Sequence, residues 1–266
     1  MKYKMLVTDL DGTLLNSRSQ ITPEVKKAVA YARERGVYVI LCSGRCCKPM
    51  IIFERMLGPI PDAQLGISFN GGMTYESATQ RVLTDYRLER GLAFEIIDSL
   101  KSKGAPVLIY QGCDLYAENN AAEIIAYCRG AMLPVTMLSD FRELRGDISK
   151  VLIRSDRSVI GPLEESVRGV ARGRCSVYFS AHNLLEYCPL EANKGAGLKY
   201  VCGYLGISPD EVIAAGDQNN DISMLREAGL GIAVGNATEE TKGAANITIR
   251  ETNDEGAVAA IIYKYF

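Results

Sequence analysis

The segment MLVTDLDGTLLNS, residues 5–17, opens as a buried strand and closes on acid. Met5, Leu6 and Val7 form an apolar run, and Asp9 and Asp11 follow two positions apart, just before Gly12 and Thr13. Each carboxylate costs free energy if it is left unpaired away from water. Residues two apart in a strand point to the same side, so beyond the strand end both acids can reach one site. Something positive or something reactive is expected beside them.

Outward from this segment, the hydrophobic period switches repeatedly between strand and helix. ITPEVKKAVAYARERG (21–36) reads as a helix, with Thr22 as N-cap and Pro23 in the first turn. Val25, Ala28, Val29 and Ala32 share its apolar face, and Gly36 ends it. VYVILCSG (37–44) is an apolar strand stopping at Ser43-Gly44, KPMIIFERML (48–57) is helical, and LGISFNGG (65–72) is a strand ending in a turn. KGAGLKYVCGYLG (194–206), SPDEVIAAGD (208–217) and NDISMLREAG (220–229) repeat the grammar. The alternation predicts an α/β core, a doubly wound, mostly parallel, Rossmann-like sheet. Between about Leu83 and Cys188 the strands alternate in polarity and come in pairs, as in APVLIYQG with DLYAEN and CSVYFSA with NLLEYCP. That region predicts an inserted α+β cap, an antiparallel sheet with helices on one face. The expected division is 1–83 plus 189–266 for the core and 84–188 for the cap, with hinges near Leu83–Asp85 and Cys188–Glu191.

Ligands of open parallel sheets bind beyond the carboxyl ends of the strands. Asp9 and Asp11, Ser43, Asn70, and the group Asp217, Asn220 and Asp221 each follow such a strand, and Lys194 opens a helix shortly before the last. Acids gathered at one rim repel by roughly 4 kcal/mol per pair at 4 Å and an effective dielectric of ~20. A hard divalent cation relieves that, and carboxylate oxygens without soft ligands suit Mg²⁺, which is commonly shared with a phosphate. Ser43 offers a hydroxyl, Gly44 an unhindered N–H and Lys194 a point charge, the donors a phosphoryl group requires. Of the paired acids, one can attack phosphorus and the other can move the proton.

DLDGTLL, CSGR, NKGAGL and GDQNNDISML resemble, in order, the four motifs of the haloacid dehalogenase superfamily, and the cap between the second and third is similar to that of its Cof-like phosphatase branch. The resemblance implies Asp9 as the nucleophile that becomes an aspartyl phosphate, and Asp11 as general acid/base whose backbone carbonyl binds Mg²⁺. It implies Ser43 and Lys194 as holders of the phosphoryl group, Asp217 as a direct metal ligand, and Asp221 as a support acting through water. Asn220 matches a residue near the phosphate, Arg45 one that touches substrate, and Asn70 to Gly72 a segment lining the entrance. Ser43 stands where many relatives carry Thr, which keeps the hydroxyl.

The expected function is hydrolysis of a small phosphorylated metabolite, with a phosphomutase and a non-catalytic phospho-acceptor module as alternatives. Specificity is expected in the cap, where Tyr110, Tyr116, Tyr178, Glu186 and Tyr187 are candidates, although strand-favouring tyrosines are more often packing. The 266 residues carry a net charge of −2, so no basic field invites nucleic acid or anionic lipid. No apolar run is long enough to span a bilayer and no signal-peptide core is evident, so a cytoplasmic monomer or homodimer is expected. The eight cysteines lack CxxC spacing and read as small, mostly buried thiols. The single histidine, His182, reads as a loop or surface residue, and a histidine-based triad or zinc site is not expected.

Overall fold

The structure is a computed structural model that describes residues 2–119, 121–181 and 183–266. His182 lies outside the described residues. The chain divides into two units, one formed by residues up to Thr84 and from Asn193 onward, the other by Asp85–Ala192.

The first stretch contributes β1 (Met5–Thr8), α1 (Pro23–Glu34), β2 (Tyr38–Cys42), α2 (Cys47–Met56), β3 (Leu65–Ser68), β4 (Met73–Glu76) and β5 (Val82–Asp85). The insert follows with α3 (Arg90–Lys101), β6 (Val107–Gln111), β7 (Asp114–Ala117), α4 (Ala122–Ala131), β8 (Val135–Met137), β9 (Lys150–Arg154), α5 (Arg157–Ala171), β10 (Ser176–Ala181) and β11 (Leu184–Cys188). The chain ends with α6 (Lys194–Leu205), β12 (Val212–Gly216), α7 (Ile222–Glu227), β13 (Leu230–Ala233), α8 (Glu239–Ala244), β14 (Ile247–Thr248) and α9 (Ala257–Tyr265).

The first unit has one sheet, ordered β14-β13-β12-β1-β2-β3-β4-β5. It is parallel from β14 to β3, and β4 returns antiparallel beside β3. Alternation along β1 divides its side chains between two cores. Leu6 joins Val39, Leu41 and Ile213 under α1 and α9, with Val25, Val29, Val258 and Ile262. Met5 and Val7 join Ile40 and Ile67 under α6 and α7, with Leu198, Val201, Met224 and Leu225. This is the expected doubly wound core. The Thr22 hydroxyl caps α1 by accepting from the Val25 amide at 3.3 Å, and Gly36 beyond its end has φ +77°. The β4–β5 extension has no counterpart in the sequence reading, because MTYE and VLTD mix threonine and acid into their four residues and no apolar run marks them.

The second unit has one sheet, ordered β10-β11-β9-β6-β7-β8. Pairing is antiparallel except between β7 and β8, which run parallel. Val107, Ile109, Val151, Ile153, Leu185 and Tyr187 pack with α3 and α5 residues such as Ile96, Ile97, Ile160 and Val167. The expectation of helices on one face fails at α4. Tyr127 of α4 meets Tyr110 hydroxyl to hydroxyl at 3.1 Å, and Tyr110 points away from the face that carries Ile109. Helical periodicity identifies the apolar side of α4 but not the side of the sheet it covers.

Cys42, Cys46, Cys128, Cys175, Cys188 and Cys202 are free thiols, all buried except the half-buried Cys128. No helix among the described residues is long and apolar enough to cross a membrane.

Candidate active site

The acid-bearing segment leaves β1 at the centre of the first unit's sheet, between β12 and β2. The Asp9 amide still donates to the Ala215 carbonyl at 2.9 Å, so the parallel ladder itself aims Asp9. Gly12 then turns with φ +86°, and a Cβ there would lie 2.6 Å from Asp217 Oδ2. Glycine therefore lets the β1 loop close against the β12 loop. Thr13 Oγ1 donates to Asp217 Oδ1 at 2.7 Å, and Asn236 Nδ2 donates to the Gly12 carbonyl at 2.8 Å.

Lys194, the first residue of α6, is fully buried. Its Nζ lies 2.5 Å from Asp9 Oδ1 and 2.5 Å from Asp221 Oδ1. Asp221 Oδ2 accepts the backbone N–H groups of Asp217 at 2.8 Å and Gln218 at 2.9 Å. Both oxygens of Asp221 are thus engaged, which makes it the anchor of Lys194 and of the loop after β12.

Asp9, Asp217 and Asp221 are buried, with one oxygen of each within 4.8 Å of the others. Burial raises the Asp9 pKa well above the usual carboxylate range, against the pull of Lys194, and Asp221, Asp217 and Asp11 add to the rise. Burial and then Asp221 push Asp217 up to about 6, against the Thr13 hydrogen bond, Lys194 and Gln218. Burial disfavours the Lys194 charge, yet Asp221 and Asp9 together outweigh it and raise its pKa. Three carboxylates facing one ammonium leave negative charge in excess. An all-oxygen donor set with surplus charge fits a hard divalent cation, so this cluster can hold a metal ion.

Asp11 sits differently. Its carboxylate is half-exposed and is gripped in bidentate fashion by Arg45, Nε to Oδ2 at 2.7 Å and Nη2 to Oδ1 at 2.8 Å. Ser43 is buried past the end of β2, and its hydroxyl accepts from the Arg45 amide at 3.2 Å across Gly44. Asn220 Nδ2 donates to Asn70 Oδ1 at 2.9 Å. Asp9, Lys194, Asp217 and Asp221 therefore form one contiguous cluster, while Asp11 with Arg45, Ser43 with Gly44, and Asn220 with Asn70 occupy the loops that leave the same sheet end.

Thr13, Gln218, Asn236 and Asn253 belong to this arrangement without having been singled out from sequence. Asn253 donates from its amide to Asn236 Oδ1 at 2.9 Å and from Nδ2 to the Leu15 carbonyl at 2.9 Å. Asn236 follows β13 in the turn Gly235-Asn236, so the strand-end rule that picked out Asp9 applies to it equally.

The cap candidates have partners within their own unit. Tyr110 meets Tyr127, Glu186 is ion-paired with Lys150, and the Tyr178 hydroxyl donates to the Ala192 carbonyl at 2.6 Å. Tyr187 belongs to the apolar core of that unit, with Tyr116 packed against it.

Comparison with known proteins places this geometry in a family. The sequence pattern of haloacid dehalogenase-like hydrolases matches residues 6–262. The chain is 27% identical over 283 residues to phosphatase YwpJ of Bacillus subtilis, covering 96% of this chain and 97% of that protein. It is 28% identical over 259 residues to the 5-amino-6-(5-phospho-D-ribitylamino)uracil phosphatase YcsE of the same organism, covering 97% and 94%. A haloacid dehalogenase-like hydrolase from Bacteroides thetaiotaomicron superposes with a TM-score of 0.90 at 28% identity, over 99% of this chain and all of that one (100%). The chain belongs to the haloacid dehalogenase-like hydrolases.

Proposed function

We propose that this chain is a cytoplasmic, Mg²⁺-dependent phosphatase that hydrolyses a small phosphorylated metabolite, such as a sugar phosphate, through a phosphoryl group carried on Asp9. The observation that carries the reading is the Lys194 ammonium 2.5 Å from Asp9 Oδ1 inside a buried, acid-rich cluster. A relative named as a phosphatase of 5-amino-6-(5-phospho-D-ribitylamino)uracil is in keeping with a metabolite monoester.

In this reading an Asp9 oxygen attacks phosphorus, and the bond from phosphorus to the leaving oxygen breaks with its electron pair going to that oxygen. Asp11, protonated, gives the leaving oxygen its proton. Asp11 then takes a proton from water, whose oxygen attacks the same phosphorus and frees Asp9 and inorganic phosphate. Arg45, which grips both Asp11 oxygens, holds that carboxyl in place and releases one oxygen for it to carry the proton. Lys194, the Ser43 hydroxyl and the Gly44 N–H take the phosphoryl oxygens, with Asn220 beside them. A divalent cation held by Asp9, Asp217 and the Asp11 carbonyl, with Asp221 behind, would neutralise charge shared between carboxylates and phosphate. The first unit does this chemistry, and the inserted unit selects the leaving group.

The test is release of phosphate from p-nitrophenyl phosphate by the purified protein, with and without Mg²⁺. Turnover is expected only with the metal, and Asp9→Asn is expected to lower it by roughly a thousandfold or more. Wild-type rates in Asp9→Asn would refute the covalent route.

A further inference from the structure

Three consecutive residues, Phe69, Asn70 and Gly71, have φ of +52°, +56° and +92°. Glycine adopts such a backbone freely, whereas for Phe and Asn it is uncommon and carries strain. Strain of this kind persists where surrounding contacts over-determine it. Those contacts reach three segments of the proposed site. The Phe69 amide donates to the Arg45 carbonyl at 3.0 Å, and the Asn70 amide donates to the Ser43 carbonyl at 3.0 Å. Asn70 is fully buried, and its Oδ1 accepts from Asn220 Nδ2 at 2.9 Å. Gly71 lies so close to the start of α6 that a Cβ on it would run into the Asn193 carbonyl, one residue before Lys194. From the other side, a Cβ on Gly197 of α6 would come 3.2 Å from the Gly71 Cα.

We propose that Phe69–Gly71 is a clamp that holds the Ser43 loop, the Asn220 loop and the Lys194 helix end in mutual register, and that Asn70 is a positioning residue acting through Asn220. The proposal rests on the phosphatase reading of the same site. A turn that only joined β3 to β4 would have no use for a strained, buried asparagine whose side chain crosses to the loop after β12. The groups that take the phosphoryl oxygens come from segments far apart in the chain, Ser43 and Gly44 against Lys194, with Asn220 beside them. Small errors in their spacing are costly to rate.

Asn70→Gly separates the two roles of the residue, because glycine keeps the left-handed turn while removing the bridge. Relief of strain and loss of the buried side chain oppose each other, so the thermal midpoint is expected to stay within about a few degrees of that of the wild type. The kcat/KM for p-nitrophenyl phosphate is expected to fall roughly 10- to 100-fold, with competitive inhibition by inorganic phosphate weakening alongside it. In a double-mutant cycle, Asn70→Gly with Asn220→Ala is expected to lose no more than Asn220→Ala alone. Wild-type kinetics in Asn70→Gly would overturn the positioning role of Asn70, and additive losses would overturn its action through Asn220. Either result leaves the phosphatase reading standing, whereas a wild type that hydrolyses no ester in the same assay removes both.

Discussion

Two sites of buried acid lie in the same unit and are surrounded in different ways. At the carboxyl ends of the strands, Asp9, Asp217 and Asp221 surround Lys194. Beside the amino-terminal half of β3, Glu54 of α2 is fully buried and receives the Tyr75 hydroxyl on Oε1 at 3.1 Å. Tyr75 pairs with Gly66, the second residue of β3, which fixes that location. Burial pushes both sets of carboxyls toward the neutral form. The rim resists with a buried ammonium and with backbone N–H groups aimed at Asp221. Around Glu54 the opposing partners are Ser77, Tyr75 and the more distant Arg33, and together they fall short of the burial cost. The rim thus sets three acids around one buried ammonium, an oxygen cluster that can hold a cation, whereas Glu54 stands as a single acid among hydroxyl groups.

Lys194→Met breaks that comparison hardest. It keeps the stem of the side chain and removes the ammonium that bridges Asp9 and Asp221. Turnover of p-nitrophenyl phosphate is expected to fall by roughly a thousandfold or more, while Glu54→Gln is expected to keep wild-type kinetics. A Lys194→Met enzyme within tenfold of wild type, or a Glu54→Gln enzyme that is dead, would show that the two acid groups had been assigned the wrong way round.

Thr13→Val sharpens the rim side. Thr13 holds Asp217 Oδ1 at 2.7 Å, and in the proposed function Asp217 binds the metal, whose ligands typically owe 10–100-fold in affinity to such outer partners. The Mg²⁺ concentration for half-maximal activity is expected to rise about tenfold, with kcat at saturating metal much less affected. An unchanged metal titration would mean that Thr13 serves only the loop.

The rim was legible in sequence because each of its segments ends an apolar run, and a parallel sheet gathers such ends at one edge whatever their distance along the chain. Asp9, Asp217 and Asp221 converge for that reason, and Lys194 joins them from the start of α6. The engagement of Asp11 by Arg45 was not legible, because strand direction says nothing about side-chain pairing among loops. Asn236 was passed over because an Asn after a strand most often only closes a turn, and its bond to the Gly12 carbonyl is visible only in three dimensions. The β4–β5 and β8 strands mix polar residues into their short runs, so no apolar run marked them. Glu54 could have been found. Met50, Phe53, Glu54 and Leu57 follow the spacing of one apolar helical stripe, so helical spacing alone places Glu54 on the inward face.

The smallest effect concerns stability rather than rate. Burial, opposed by Ser77, Tyr75 and Arg33, raises the Glu54 pKa to about 7 from its ordinary 4.5. Between those values the folded chain binds a proton that the unfolded chain has released, so stability through this group falls as pH rises. Its contribution is complete below pH 4.5, is lost progressively up to pH 7, and stays flat above that. From pH 5 to pH 8 the loss through Glu54 is on the order of 2 kcal/mol. Glu54→Gln cannot take the charge, so the variant is expected to gain stability relative to wild type by about that amount across the same range. Urea unfolding of both proteins at pH 5 and pH 8 measures the difference, each pair compared at one pH so that other titrating groups cancel. An equal offset at the two pH values would mean that Glu54 is charged in the folded chain throughout, held by Arg33 more firmly than their separation suggests.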